Sequence, residues 1–369
     1  MSLDAEILKG EERIILELRS LYHRYGFAQY KMSKFEEYDL YVRNKDFLTS
    51  QDIITFTDTN GKLMALKPDV TLSIVRNTRP RAGVVDKVYY DESVYRISRN
   101  SHSFREIQQI GLECIGAVDD YCIGEVLLLA AKSLRAISGE SVLNISHLGV
   151  IGSLLTPLGL TDEEEQRVLK LLGEKNLHEL QLYLAGCGVP RERIDALKAL
   201  ISASGTSREV LPVLEELGCD PASVEQLRTL TELLEENGEG DIVRLDFSVF
   251  SDMRYYNGIV FQGFVRGAPA EVLSGGQYDK LLEKMGKRGS AIGFAACLDQ
   301  LELLERREQG YDVDCLLLYG EDDSPEAVNA AVSALMAEGC SVMVQKTVPE
   351  RLRYRRALRL TESGVAEIA

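Results

Sequence analysis

Residues 87–116 read KVYYDESVYRISRNSHSFREIQQIGLECIG. Lys87 to Ile97 and Phe104 to Gly116 are runs rich in β-branched and aromatic residues, joined by the polar stretch Ser98 to Ser103, the spacing of two long neighbouring strands. Side chains alternate along a strand, so Arg105, Ile107, Gln109, Gly111, Glu113 and Ile115 share one face while Phe104, Ile110, Leu112 and Cys114 share the other. Gln109 and Glu113 therefore flank a glycine, a residue that weakens a strand interior and is tolerated where a ligand or backbone approaches closely. An amide and a carboxylate beside such a gap suit a small ligand bearing N–H donors, because a buried polar group without a partner costs about 1–3 kcal/mol. The competing expectation is a solvated outer face of a one-sided antiparallel sheet, which shows the same polar alternation.

Working outward, Ile14, Ile15, Leu18, Leu21 and Tyr22 predict an amphipathic helix over 10–25, stopped by Gly26. Ile53 to Asp58 and Leu63 to Leu66 predict a hairpin closed tightly by Asn60-Gly61. Leu66-Lys67-Pro68-Asp69-Val70-Thr71 leaves this strand and enters a helix, placing Asp69 and Thr71 either as caps or as partners for an ammonium group. Tyr121 to Ile137 predicts an apolar helix. From about 160 to 237 the pattern is helical throughout, with Thr161-Asp162-Glu163-Glu164 as a capping sequence and breakers at Pro190, Gly205 and Gly218. Strands are expected again over 241–249, 255–264, 271–275 and 290–295, the last leading into a helix to about Arg307. The end of the chain reads β-α-β-α: strand 313–319, helix 325–339, strand 341–345 and helix 350–363.

The 369 residues carry 42 Lys plus Arg against 58 Asp plus Glu, a formal charge of −16, so the chain as a whole repels a polyphosphate backbone. Residues 161–240 hold 17 acidic and 8 basic side chains, concentrating more than half of that charge in the helical block. The longest apolar run, Val126 to Ala131, is far short of a membrane span, and no secretory signal is expected in the charged Met1 to Arg19. Seven cysteines without a C-x-x-C pair predict reduced cytosolic thiols rather than a zinc knuckle or disulfide frame. His23, His102, His147 and His178 lack metal-ligand spacing, so no metal site is expected. The sequence contains neither G-x-x-x-x-G-K-[ST], nor G-x-G-x-x-G, nor G-x-S-x-G.

Two further segments bear on the pocket: Tyr255-Tyr256-Asn257-Gly258 opens a strand, and Ser274-Gly275-Gly276-Gln277-Tyr278-Asp279 forms a strand-to-helix turn. Taken in order, residues from about 10 to 305 resemble the catalytic core of the class II histidyl-tRNA synthetases. Leu66 to Thr71 is similar to that family's L-R-P-E-x-T segment and 87–116 to its motif 2. Val243 to Phe261 resembles the histidine-binding strand, Ser274 to Leu281 the G-G-R-Y-D turn and Ala291 to Leu301 motif 3. The resemblance implies an α+β fold: a class II aminoacyl-tRNA synthetase-like antiparallel sheet flanked by helices. It places the core at 1–155 and 241–308, an acidic helical insertion at 156–240, and a truncated anticodon-binding-like β-α-β-α remnant at 309–369.

Carried over by position, the resemblance assigns Asp69, Thr71 and Gln109 to the amino-acid end of a histidine, and Glu113 and Tyr256 to its imidazole. Tyr255 and Tyr278 would line the pocket, and Arg96 would match the motif 2 arginine that meets the α-phosphate and carboxylate. The remaining arginines are missing: Ser251, Gln277 and Gln300 stand at the matching places, and Ser98 replaces a motif 2 glutamate. A fixed donor to developing charge is worth roughly 10²–10³ in rate, so adenylate formation should fail and no catalytic residue is expected. These departures resemble the regulatory-subunit branch of the family. That likeness implies a partner, the short-form catalytic subunit of ATP phosphoribosyltransferase, with homodimers inside a hetero-octamer, histidine as a possible ligand, and no cofactor, tRNA or membrane contact. A divergent synthetase and a histidine sensor with another partner are the alternatives.

Overall fold

The computed structural model describes residues 10–48, 53–97, 103–249, 255–299, 311–361 and 364–368. Ser98, Ser251, Gln300 and the helix expected up to Arg307 lie outside the described residues. The chain forms two compact units, Met1–Leu301 and Glu302–Ala369.

In the first unit, α1 (Gly10–Arg24) buries Ile14, Leu18 and Tyr22 and ends at Gly26, whose φ of 81° is the left-handed turn that a glycine adopts without strain. It leads through β1 (Ala28–Gln29) to β2 (Phe35–Glu37), α2 (Tyr38–Val42), β3 (Thr55–Thr57) and β4 (Leu63–Leu66), the three strands β2, β4 and β3 forming a small antiparallel sheet. The Asn60-Gly61 turn is looser than expected: Asp58 and Lys62 pair, and the Asp58 carboxylate accepts from Asn60 N and Lys62 N at 2.8 Å each. Three residues thus span the loop instead of two, with Gly61 at φ 80°.

After α3 (Thr71–Asn77), the long strands β5 (Val85–Ile97) and β6 (Phe104–Gly116) pair antiparallel over their full length. The chain continues through α4 (Asp120–Ile137), β7 (Ser141–His147) and α5 (Leu148–Leu155), then α6 (Asp162–Gly173), α7 (Leu177–Gly186) and α8 (Arg191–Ser202). Next come β8 (Ser204–Gly205), α9 (Ser207–Glu216), α10 (Pro221–Glu236), β9 (Val243–Asp246) and β10 (Ile259–Val265). The unit closes with β11 (Leu273–Gln277), α11 (Asp279–Lys284) and β12 (Ser290–Cys297). The expected capping sequence works as read: Thr161 and Glu164 form a reciprocal capping box on α6, and Thr206 and Glu209 repeat it on α9.

The main sheet has nine strands in the order β1-β5-β6-β12-β11-β10-β7-β9-β8. It is antiparallel through its centre, as expected, but β1 joins β5 and β9 joins β7 in parallel, so the sheet is mixed toward its rims. α1 and α4 cover one face, where Tyr22 packs edge-on against Phe294 and donates to or accepts from Ser133 at 2.9 Å. α3 and α11 supply Leu72, Ile74, Val75, Leu281 and Leu282 to the core on the opposite face, together with Tyr90, Val94, Ile115 and Ala291 from the sheet.

The second unit corrects the β-α-β-α expectation. β13 (Val313–Leu318), α12 (Pro325–Ala337) and β14 (Val342–Gln345) follow the reading, but the segment expected as a helix over 350–363 forms β15 (Tyr354–Thr361), followed by β16 (Gly364–Glu367). The four-stranded order is β14-β13-β15-β16, with β15 parallel to β13 and β16 antiparallel to β15. Arg- and Leu-rich composition favours a helix, but an unpaired β13 edge offers a full ladder, and Ala357 and Leu358 bury against it.

Candidate functional site

The site grows from one row across the sheet. Glu113 on β6 lies opposite Gly293 on β12, which lies opposite Gly276 on β11, so two adjacent strands present no side chain beside the carboxylate. Both glycines are required by that approach: a Cβ on Gly293 would fall 1.7 Å from Glu113 Oε2, and one on Gly276 2.8 Å from the Tyr256 ring. The gap at Gly111 has a different occupant from the ligand anticipated there. Tyr90, its cross-strand neighbour, fills it, with the hydroxyl 2.6 Å from where a Cβ would stand.

Glu113 is 2% exposed, which rules out a solvated outer face. Its Oε1 accepts from the Thr71 hydroxyl at 2.7 Å and its Oε2 from the Tyr278 hydroxyl at 2.6 Å. Loss of water pushes the carboxyl up to about 8; the two hydroxyl bonds oppose this and nearby Asp69 adds to it. No cation is among these influences, so at neutral pH the group is largely a carboxylic acid.

Thr71 opens α3 and Asp69 precedes it. Asp69 takes the capping role, its Oδ1 accepting from Leu72 N at 2.9 Å, and its carboxyl is also raised by burial despite the Arg96 charge. Thr71 instead spends its hydroxyl on Glu113. The phenols close the other side: Tyr255 and Tyr256 rings meet at 4.4 Å, and Tyr255 lies 5.9 Å from Tyr278. Burial raises all three, keeping them neutral donors. Asp69, Thr71, Glu113, Tyr255, Tyr256 and Tyr278 thus form one continuous group.

Arg96 and Gln109 stand farther along the strands. Arg96 Nε donates to Pro68 O at 3.1 Å, holding the turn that carries Asp69, and Gln109 Nε2 donates to Cys297 Sγ at 3.3 Å. Gln277 is turned onto the backbone: its Oε1 accepts from Ile259 N at 2.8 Å and sits against Gly258. The amide is spent on the backbone of β10.

Several supporting residues carried no signal of their pairing, although Lys67, Asn257 and Asp279 stand in segments read from the sequence. Asn257 Nδ2 donates to Asp279 Oδ2 at 2.9 Å, and the Asp279 N–H returns to Asn257 Oδ1 at 2.7 Å, fastening the two tyrosine-bearing turns together. Asp279 Oδ1 also accepts from Ala291 N at 2.8 Å. Lys67, fully buried, is paired with Glu92 beneath the Asp69 turn. Tyr41 is fully buried with its hydroxyl lacking a partner among the described residues, and its titration feels Asp69. Among the described residues no cluster could hold a metal ion, and no helix is long and apolar enough to cross a membrane.

The sequence model of the family described as histidyl-tRNA synthetase matches residues 3–301. This chain belongs to that family. An ATP phosphoribosyltransferase regulatory subunit from Alkaliphilus metalliredigens is 26% identical over 86% of this chain and 84% of its own length. A histidine–tRNA ligase from Methanocaldococcus jannaschii is 29% identical over 80% of this chain and 72% of its own. The solved structure titled ATP phosphoribosyltransferase regulatory subunit/histidyl-tRNA synthetase from Bacillus halodurans superposes with a TM-score of 0.71, at 24% identity over 91% of this chain and 88% of that one. The fold is therefore that of the histidyl-tRNA synthetases, while the relatives divide between a ligase and a regulatory subunit.

Proposed function

We propose that this chain is a non-catalytic regulatory subunit of ATP phosphoribosyltransferase, acting in the cytoplasm with a short-form catalytic subunit at the first step of histidine biosynthesis. The observation that carries this reading is Gln277: at the place where the family's G-G-R-Y-D turn bears an arginine, a neutral amide is bonded to Ile259 N. Ser251 and Gln300 in the sequence extend the same loss of guanidinium groups. Amino-acid activation builds charge on phosphate, and removing such fixed donors costs several kcal/mol, about 2.7–4 each.

Residues of the expected types stand on the amino-acid side of the site, with Asp69 where the family has a glutamate. We assign Glu113, Thr71, Asp69, Gln109, Arg96, Tyr255, Tyr256 and Tyr278 to a histidine-binding pocket, with Glu113 accepting an imidazole N–H and the phenols packing the ring. An imidazolium or ammonium group would supply the positive charge that Glu113 lacks and add to that of Arg96 near Asp69, drawing both toward their ionised forms. Feedback by histidine then appears as a coupling free energy between this pocket and the partner's active site. Dimers of the synthetase-like core inside a hetero-octamer are the assembly we expect.

The test mixes the purified chain with a short-form catalytic subunit and measures phosphoribosyl-ATP formation with and without histidine. Stimulation by the chain and inhibition by histidine are expected. Histidine-dependent ATP–pyrophosphate exchange by the chain alone would overturn the reading in favour of a synthetase, the alternative that the 29% identical ligase supports.

A further inference from the structure

The second unit contains a pair of thiols arranged around one guanidinium. Cys315 lies inside β13, and its register partner on β15 is Arg356. Cys340 stands at the turn that ends α12, two residues ahead of Val342, which is the register partner of Cys315 on β14. All three side chains share the face covered by α12, and Arg356 Nη2 reaches Cys315 Sγ at 3.3 Å and Cys340 Sγ at 3.4 Å.

Their environments differ. Cys315 is fully buried, and loss of water holds its thiol above the ordinary range although Arg356 opposes this. Cys340 is half-buried and lines a cavity of about 280 Å³ together with Asp314, Glu338, Arg355 and Arg356. Of the two sulfurs, that of Cys340 is the one an oxidant reaches through the cavity. The other cysteines have no guanidinium bonded to the sulfur: Cys114, Cys122 and Cys219 are buried, burial and the Glu164 charge raise the Cys187 thiol, and Cys297, partly exposed, takes its hydrogen bond from the Gln109 amide.

We propose that Cys340 and Cys315 form a reversible redox pair, in which Cys340 is the oxidised thiol and Cys315 resolves it to a disulfide. The oxidant is hydrogen peroxide. The Cys340 thiolate attacks one peroxide oxygen, the O–O bond breaks, and hydroxide leaves and takes a proton, giving a sulfenic acid and water. The Cys315 sulfur then attacks the Cys340 sulfur, the S–O bond breaks, a second water leaves, and the S–S bond forms. Two thiols lose two electrons, peroxide gains them, and a dithiol reductant restores the pair. The bond would tie the α12–β14 turn to the central strand β13 and release Arg356 from both sulfurs into the cavity.

The experiment treats the full chain with limiting hydrogen peroxide, then alkylates free thiols and maps peptides by mass spectrometry without reduction. The expected product is one disulfide joining the Cys315 and Cys340 peptides, with five of the seven thiols still alkylated and all seven recovered after dithiothreitol. Cys315→Ser should leave Cys340 as a sulfenic acid that dimedone captures, and Arg356→Met should slow disulfide formation about tenfold, because the guanidinium that holds both sulfurs is gone. The wild-type map decides the matter even if a variant folds poorly. A disulfide between other cysteines, or Cys340 oxidised no faster than Cys187, would overturn the proposal.

Discussion

Replacing Glu113 by glutamine tests the central electrostatic claim. The side chain keeps its shape but can no longer ionise. With a folded-state value near 8 against an ordinary 4.5, the native chain binds more protons than the unfolded chain between those limits. Stability contributed by this group therefore falls as pH rises from about 4.5 to about 8, at no more than about 1.4 kcal/mol per pH unit, and is constant outside that window. The accumulated loss is about 3 kcal/mol at pH 7 and at most about 5 kcal/mol above pH 8. The glutamine variant escapes this loss, at a pH-independent cost of about 1–3 kcal/mol if its amide N–H finds no acceptor beside the Thr71 and Tyr278 hydroxyls. Urea unfolding at pH 5, 7 and 8.5 measures both proteins, and the readout is the difference between them. For a urea slope of about 3 kcal/mol/M, the variant's midpoint should gain roughly 1 M on the wild type over that range. A difference that stays flat with pH would refute the assignment of Glu113 as a carboxylic acid at neutral pH.

Three other outcomes are expected. Gly293→Ala drives a methyl group into the Glu113 carboxylate, and calorimetry should show histidine binding lost, with stability down by about 1–3 kcal/mol. Lys67→Met strands the Glu92 carboxylate beneath the Asp69 turn and should cost about 3–5 kcal/mol in denaturant unfolding, more than the matched double replacement Lys67→Met/Glu92→Leu. Thr161→Ala removes one half of the α6 capping box and should lower stability by about 1 kcal/mol, leaving histidine binding unchanged in the same calorimeter.

The central strands were legible because their signal is local: a period of two over thirteen residues in β6 fixes which side chains share a face, and Glu113 and Gln109 are both buried. The caps of the helical block were legible for the same reason. What failed was information held in distant partners. Tyr354, Arg356, Leu358 and Leu360 alternate as a strand should, yet Arg, Leu and Ala are also good helix formers, and only the neighbouring β13 edge decides between them. Gly111 was read correctly as a gap, but the phenol that fills it comes from β5, and nothing in the β6 sequence names it. Lys67 and Glu92 are 25 residues apart and Asn257 and Asp279 are 22 apart, so each looks like an ordinary surface residue until the chain is folded.

The two-residue strand β8 has a mechanical consequence. Ser204 and Gly205 extend the sheet beyond β9, and Asp246 on β9 accepts from Lys175 at 3.0 Å and from Ser204 at 3.4 Å. The acidic helices are therefore stitched to the rim of the same sheet whose middle carries Glu113, and cannot swing as a free flap. A protein gripping those helices would be pulling on the frame of the pocket itself, so that force applied at the margin reaches the floor through backbone ladders instead of through a hinge.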